Sequence, residues 1–373
     1  MNAVPALDLT REEAFSRIRL LRSPNVGPVS YTQLLRRFGT AGSAIEALPD
    51  IVGKRGGNLY RVAPADRIEA EIAAVRRAGA RFLFHDSADY PSLLANCDSA
   101  PPILTVQGDM ALASRPCVAV VGARNASAAA IKLARDFAAE LAGQGVVIVS
   151  GLARGIDGAA HRGALAGAAS GGGTIGVIAS GIDIAYPPEH ADLQSQIGDE
   201  GLFIAEQPCG TEPLARHFPA RNRIIAGIAA GTLVVEAAPK SGSLITARLA
   251  GDYGRDVMAI PGSPLDSRSH GCNQLIRDGA VLVQRPEDVL ELIEGFTGAP
   301  RSFLQESAEP LSFEAFDAEP ADVTGLLTTA PVAVDELIRQ SGASPAEVQM
   351  ALLELELAGR LLRHAAGRVS LTG

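Results

Sequence analysis

The 373-residue sequence is longer than one hydrophobic core usually serves, so two or three domains are expected. Hydrophobic residues make up 47% and charged residues 20%, with no apolar run of bilayer-spanning length, which points to a soluble globular protein without a membrane partner. The net charge of -9 would argue against nucleic acid, but the acidity is C-terminal: residues 115–285 carry 15 basic and 15 acidic side chains, whereas residues 286–373 carry 5 and 15.

A neutral central segment can still focus a positive field in a pocket, because focusing depends on where the charges lie. Met1 to Thr10 shows no basic segment followed by an apolar core, so the cytoplasm is the expected compartment. Cys97, Cys117, Cys209 and Cys272 match neither a disulfide framework nor a CxxC pattern, and the six histidines are equally scattered. Neither a disulfide nor a metal centre is expected.

In chain order, residues 1–75 read as a small helical domain. Arg11 to Arg22 and Tyr31 to Phe38 carry apolar residues at helical spacing, around a tight Asn25-Val26-Gly27-Pro28 turn. This resembles a SAM-like or helix-hairpin-helix unit, in which backbone amides at a helix start can hold a phosphate.

From Arg81 the pattern changes to nine short apolar runs separated by helical segments. They are Phe82–Phe84, Ile103–Val106, Val118–Val121, Val146–Val149, Ile175–Ile178, Leu202–Ala205, Leu233–Val235, Val257–Ile260 and Val281–Val283. Strands that alternate with helices and are nearly all Val and Ile predict a doubly wound, mostly parallel Rossmann-like α/β sheet over residues 81–295. Residues 296–322 have the composition of an acidic linker, rich in Pro, Ala, Glu and Ser.

Residues 323–373 read as a winged helix. Val332 to Gln340 predicts a helix, Ser344-Pro345-Ala346-Glu347 starts a second with a capping box, and Arg360–His364 with Arg368–Leu371 predict a hairpin. The second helix carries Glu347, Glu354 and Glu356 and no Arg or Lys, so it is expected to contact protein and not to read duplex DNA.

In an open parallel sheet, ligands bind beyond the carboxyl ends of the strands, where helix N-termini point outward. Five such ends carry Gly, hydroxyl or basic residues: Gly122-Ala123-Arg124-Asn125-Ala126-Ser127, Ser150-Gly151-Leu152-Ala153-Arg154, Ser180-Gly181-Ile182-Asp183, His217 to Gly227 with Arg221, Asn222 and Arg223, and Lys240-Ser241-Gly242-Ser243 through Thr246. Gly admits a ligand to the backbone, Ser127 can cap a helix, and arginines fork onto phosphate. Lys240 is one of only three lysines beside thirty arginines, in a cradle of hydroxyls and amides suited to an anion. Asp157, Asp183, Glu236 and His161 are expected in orienting or capping roles, whereas His217 beside Arg221 is expected to touch the ligand. The first strand is not followed by GxGxxG, Lys240-Ser241-Gly242-Ser243 lacks the P-loop order, and GxSxG does not occur, so NAD, ATP hydrolysis and a serine hydrolase are disfavoured and no cofactor is implied.

The motifs Val-Gly-Ala-Arg-Asn at 121–125, Ser-Gly-Leu-Ala-Arg-Gly-Ile-Asp-Gly-Ala-Ala-His at 150–161, His-Phe-Pro-Ala-Arg-Asn-Arg-Ile-Ile-Ala-Gly at 217–227, Lys-Ser-Gly-Ser-Leu-Ile-Thr-Ala at 240–247 and Pro-Gly-Ser-Pro-Leu-Asp at 261–266 resemble the DNA-processing protein A family, DprA or Smf. The resemblance implies a non-catalytic protein of DNA recombination that binds single-stranded DNA, protects it during natural transformation and helps load the recombinase RecA, acting as a homodimer. By motif it assigns DNA-phosphate contacts to Gly122, Arg124, Ser127, Ser150, Gly151, Arg221, Asn222, Arg223, Lys240, Ser241, Gly242 and Ser243. To these the residue pattern adds His217 and Thr246.

With 4% aromatic residues and no Trp, only Phe218 stands beside a basic motif, so affinity is expected chiefly from phosphates. The competing expectation is a Rossmann-like nucleotide-binding enzyme that cleaves nucleoside monophosphates. Such enzymes use a Gly-rich Thr loop with a Glu, and a Pro-Gly-Gly-x-Gly-Thr-x-x-Glu stretch is missing from this sequence.

Overall fold

The computed structural model describes residues 9–56, 60–168, 171–294, 321–364 and 367–372. The described residues form two compact units, one built from residues 71–294, the other from residues 9–70 together with 321–372. The acidic stretch expected as a linker lies almost wholly outside the described residues.

The second unit begins with α1 (Arg11–Leu21), α2 (Pro28–Phe38) and α3 (Ala41–Gly56), and the division between units falls within α4 (Ala65–Arg77). Thr10 caps α1 by accepting the Glu13 amide at 3.2 Å, and Pro28 opens α2 where its missing N–H costs nothing.

The first unit runs β1 (Arg81–Phe84), α5 (Ser92–Ala95), β2 (Ile103–Gly108), β3 (Cys117–Val121), α6 (Ala128–Gly143), β4 (Val147–Ser150), α7 (Ile156–Gly167), β5 (Gly173–Gly181), α8 (Ala191–Glu200), β6 (Leu202–Gln207), α9 (His217–Ile228), β7 (Gly231–Val234), α10 (Gly242–Asp252), β8 (Asp256–Ala259), α11 (His270–Arg277), β9 (Val281–Leu282) and α12 (Pro286–Glu294). All nine expected strands are present, in one sheet of order β1-β2-β6-β5-β4-β3-β7-β8-β9. β3 to β9 pair in parallel, whereas β1 with β2 and β2 with β6 are antiparallel.

Every residue of β3, β4, β5 and β7 is buried, as helices on both faces require. Alternation sorts the side chains: Val118 and Val120 pack with Phe137 and Leu141 of α6, while Ala119 and Val121 pack with Ile224 and Ile228 of α9. Winding runs outward from β3 through β4, β5 and β6, then restarts at β7 on the other side of β3. The topological switch point is therefore the β3–β7 pair.

The chain then returns to the second unit with β10 (Val332–Ala333), α13 (Val334–Ser341), α14 (Pro345–Leu357), β11 (Leu361–His364) and β12 (Arg368–Leu371), the strands in order β10-β12-β11. The helix expected over Val332–Gln340 starts two residues later, because Val332 and Ala333 pair with Val369 and Arg368 of the wing. The Ser344 capping box forms in both directions, with the Ser344 amide donating to Glu347 Oε2 at 2.7 Å and the Glu347 amide to Ser344 Oγ at 3.3 Å. Among the described residues no helix is long and apolar enough to cross a membrane.

Candidate nucleic-acid interface

At the switch point, where a dinucleotide-binding fold receives pyrophosphate, this chain places its own carboxylate. Glu236, buried just beyond β7, accepts the Ser127 amide on Oε1 at 3.0 Å and the Ser127 hydroxyl on Oε2 at 2.6 Å. Ser127 in turn caps α6 by accepting the Ala130 amide at 3.1 Å. The anion that a helix N-terminus favours is thus built in.

Gly122 beside it serves packing. A Cβ there would lie 2.5 Å from Ile156 Cγ1 and 3.0 Å from the Glu236 carbonyl oxygen. Ser150 is fully buried and donates to the Val120 carbonyl at 2.6 Å. The expectation that Gly122, Ser127 and Ser150 touch phosphate is corrected: strand packing, the helix cap and Glu236 use them up.

The open cleft lies one step along the sheet, over the ends of β4 and β5. It encloses about 350 Å³ and is lined by Arg124, Asn125, the Gly151–Arg154 turn, Ile178–Ser180, Tyr186, Pro187, Phe218 and Arg221. At its mouth the Arg124 guanidinium sits 4.9 Å from the Phe218 ring centroid, and the Tyr186 ring lies 5.6 Å from that of Phe218, tilted by 52°. Arg154, also exposed, pairs with Glu189. Tyr186 is not among the expected residues, since the motif recognised after β5 ends at Asp183. The Tyr186-Pro187-Pro188 step three residues on is the signal that could have found it.

The floor is Arg221. It donates from Nη1 to the Gly151 carbonyl at 2.5 Å and to the Val177 carbonyl, and a Cβ at Gly151 would come within 2.2 Å of that nitrogen. Gly151 is therefore needed for the guanidinium to lie where it does. Burial pulls the Arg221 pKa down to about 10, the Asp157 carboxylate opposing and Arg124 adding to the fall. Burial pushes the Asp157 carboxyl upward, against the pull of Arg221 and of the Ala153 and Gly151 amides. At neutral pH Arg221 remains protonated. It acts as a cation fixed beneath the cleft and not as the exposed phosphate fork expected.

The rest of the α9 motif is spread over different surroundings. His217 is buried in the first turn, with the Leu214 amide donating to its Nδ1 at 3.3 Å, so the expected ligand contact is corrected. Arg223 turns away from the cleft lining to pair with Glu206 and donate to the Ser99 carbonyl, a second correction. Asn222 donates to the Gly242 carbonyl at 3.3 Å, which joins α9 to the start of α10.

There Lys240 is exposed with φ 69°, the Ser241 and Ser243 hydroxyls are 2.8 Å apart, and Gly242 has open space where a side chain would stand. Thr246 is buried one turn on, so the expected phosphate contact is corrected. Lys240 also edges a second, wider depression of about 760 Å³ with Leu244, Arg248 and His270. Asp183 holds the Gly210 amide at 2.8 Å, and His161, fully buried against Thr174 at 2.7 Å, has its pKa driven down to about 3 by burial; both are structural. No group of three or more His, Cys, Asp or Glu among the described residues is placed to hold a metal ion.

Comparison with known proteins identifies relatives of the chain. The sequence model of a family described as DNA recombination-mediator protein A matches residues 81–294, that of a DprA-like N-terminal HHH domain matches residues 11–74, and that of a DprA winged helix domain matches residues 305–367. Protein Smf of Synechocystis sp. is 32% identical, over 90% of this chain and 92% of that protein. The X-ray structure of DNA processing protein A from Streptococcus pneumoniae is similar with a TM-score of 0.63 at 37% identity, over 76% of this chain and 98% of that one. DNA processing protein A from Helicobacter pylori, whose structure is described for its unique single-stranded DNA binding mode, is similar with a TM-score of 0.51 at 29% identity, over 57% of this chain and 94% of that one.

Proposed function

The chain belongs to the DNA recombination-mediator protein A family, DprA or Smf, and from that premise we propose that its α/β unit holds single-stranded DNA in the cleft between Arg124 and Arg221. The observation that carries this reading is the mouth of the cleft, where a guanidinium and two aromatic rings stand over a buried cation. Aromatic rings stack any base, and cations hold the backbone without reading sequence. The strand passes from the Arg124 side across Asn222 to the open amides at Gly242 and to Lys240. The α10 start has no side-chain cap of its own, which leaves those amides to a phosphate.

Three exposed cations, Arg124, Arg154 and Lys240, give a binding constant that falls with salt at a log–log slope of about -2, hence roughly 20-fold between 50 and 200 mM. Mobility-shift titrations on single- and double-stranded oligonucleotides at those two concentrations test the proposal. A slope near zero, or tighter binding of duplex, overturns it.

The wider role rests on family membership. In this reading the protein shields single strands taken up in natural transformation, passes them to the recombinase RecA in the cytoplasm, and catalyses no bond change. It acts as a homodimer. β9 at the sheet edge, with Val281 and Leu282 both exposed, is the surface we assign to a second copy. Leu282→Lys is expected to lower the mass of the free protein to that of one chain in sedimentation equilibrium, and an unchanged mass rejects this edge as the interface.

A further inference from the structure

The winged helix has a partner within its own chain. α14 is apolar on two faces: Val348, Ala351, Leu352 and Leu355 fill the winged-helix core, whereas Met350, Leu353 and Leu357 pack with Leu20, Leu34 and Leu48 of the N-terminal helices. Polar contacts fix the register. Asn25 Nδ2 donates to the Leu357 carbonyl at 3.0 Å, and Gln33 Nε2 donates to Gln349 Oε1 at 3.2 Å.

Two DNA-reading devices meet at this contact. A winged helix reads duplex by laying its second helix in the major groove, and α14 has no face left for one. A turn such as Asn25–Pro28 holds phosphate through its amides, but the Gly27 amide already donates to Ser30 Oγ at 2.8 Å. Glu356 Oε1 lies 3.4 Å from where a Gly27 Cβ would stand, so a carboxylate flanks the turn that a phosphate would approach. Arg363 of the wing donates to the other oxygen of Glu356 at 2.9 Å.

We infer that the N-terminal helices and the winged helix are each other's binding partner, and that their contact keeps both the Asn25–Pro28 turn and α14 out of DNA binding. α14 carries Glu347, Glu354 and Glu356 and no Arg or Lys, a composition that repels phosphate. This inference does not depend on the cleft reading, because it concerns only the second unit.

Gln33→Cys with Gln349→Cys in the full chain tests it. A short bis-maleimide is expected to link the two within one chain, with the linked peptides identified by mass spectrometry and single-strand and duplex titrations unchanged. Failure to link, or loss of DNA affinity on linking, overturns the inference. A second variant, Met350→Glu with Leu353→Glu, is expected to speed amide exchange across α2 and α3 by about tenfold or more, with the wing still protected. Its duplex affinity should stay level or rise. A fall would make α14 a DNA reader and reject the inference, as would unchanged exchange in α2 and α3.

Discussion

Phe218→Ala is expected to weaken single-stranded DNA binding by roughly 5- to 150-fold, the span that follows from about 1–3 kcal/mol per stacked base. The salt slope should barely move, because the ring carries no charge. Arg124→Ala is expected to do the opposite in kind, reducing the slope by about 0.7, since one phosphate of the single strand is no longer neutralised. The two residues touch, the guanidinium lying 4.9 Å from the ring centroid, so their effects should not add. An exposed cation–π contact is worth about 0.5–1 kcal/mol, and the double variant should fall short of the summed losses by about that much. Fluorescence-anisotropy titrations of the four proteins at two salt concentrations supply every leg of the cycle. If Phe218→Ala binds as tightly as the parent, the aromatic mouth is not a base platform, and the cleft binds backbone alone.

The strands are legible because a parallel sheet covered on both faces demands unbroken Val and Ile runs, and runs such as Val118–Val121 admit little else. The loops at the strand ends are legible as a group. Their individual roles are not. Glycine and hydroxyl residues beyond a strand look alike in sequence whether they admit a ligand, as the open Gly242 does, or a neighbouring side chain, as Gly151 and Gly122 do. Glu236 reads as a cap or orienter, which it is, but one sequence cannot show that its carboxylate fills the phosphate position of the switch point. Arg221 and Arg223 differ for a geometric reason: two positions on a helix are about 200° apart, so one arginine lines the cleft and the other pairs with Glu206. The meeting of the two ends of the chain in one unit is hidden altogether, since the α14 pattern, apolar on two faces, reads from sequence as an ordinary buried helix.

Arg221→Ala is expected to cost about 2–6 kcal/mol of stability, the range for leaving two buried carbonyls without the charged donor they share. Two carbonyls, of Gly151 and Val177, would lose their donor, and Asp157 would lose its balancing cation in a fully buried setting. Arg221→Lys should lose less but not nothing, because an ammonium lacks the planar fork that spans both carbonyls. The pH dependence follows from Asp157. Its folded pKa is already raised by burial and would rise further without Arg221, and a raised folded pKa contributes stability that is present below the unfolded value and lost as pH rises through the folded one. The deficit of Arg221→Ala should therefore shrink as pH falls from 7 toward the unfolded Asp value of about 4. Asp157→Asn placed in the Arg221→Ala background should restore part of the loss at pH 7, since the orphaned charge is gone. Urea unfolding of the three variants at pH 7 and pH 5 measures all of this, and anisotropy titration of Arg221→Lys measures the rest. A buried cation releases no counterions, so its salt slope should match the parent. A slope reduced by about 0.7 with stability intact would instead make Arg221 a direct phosphate ligand.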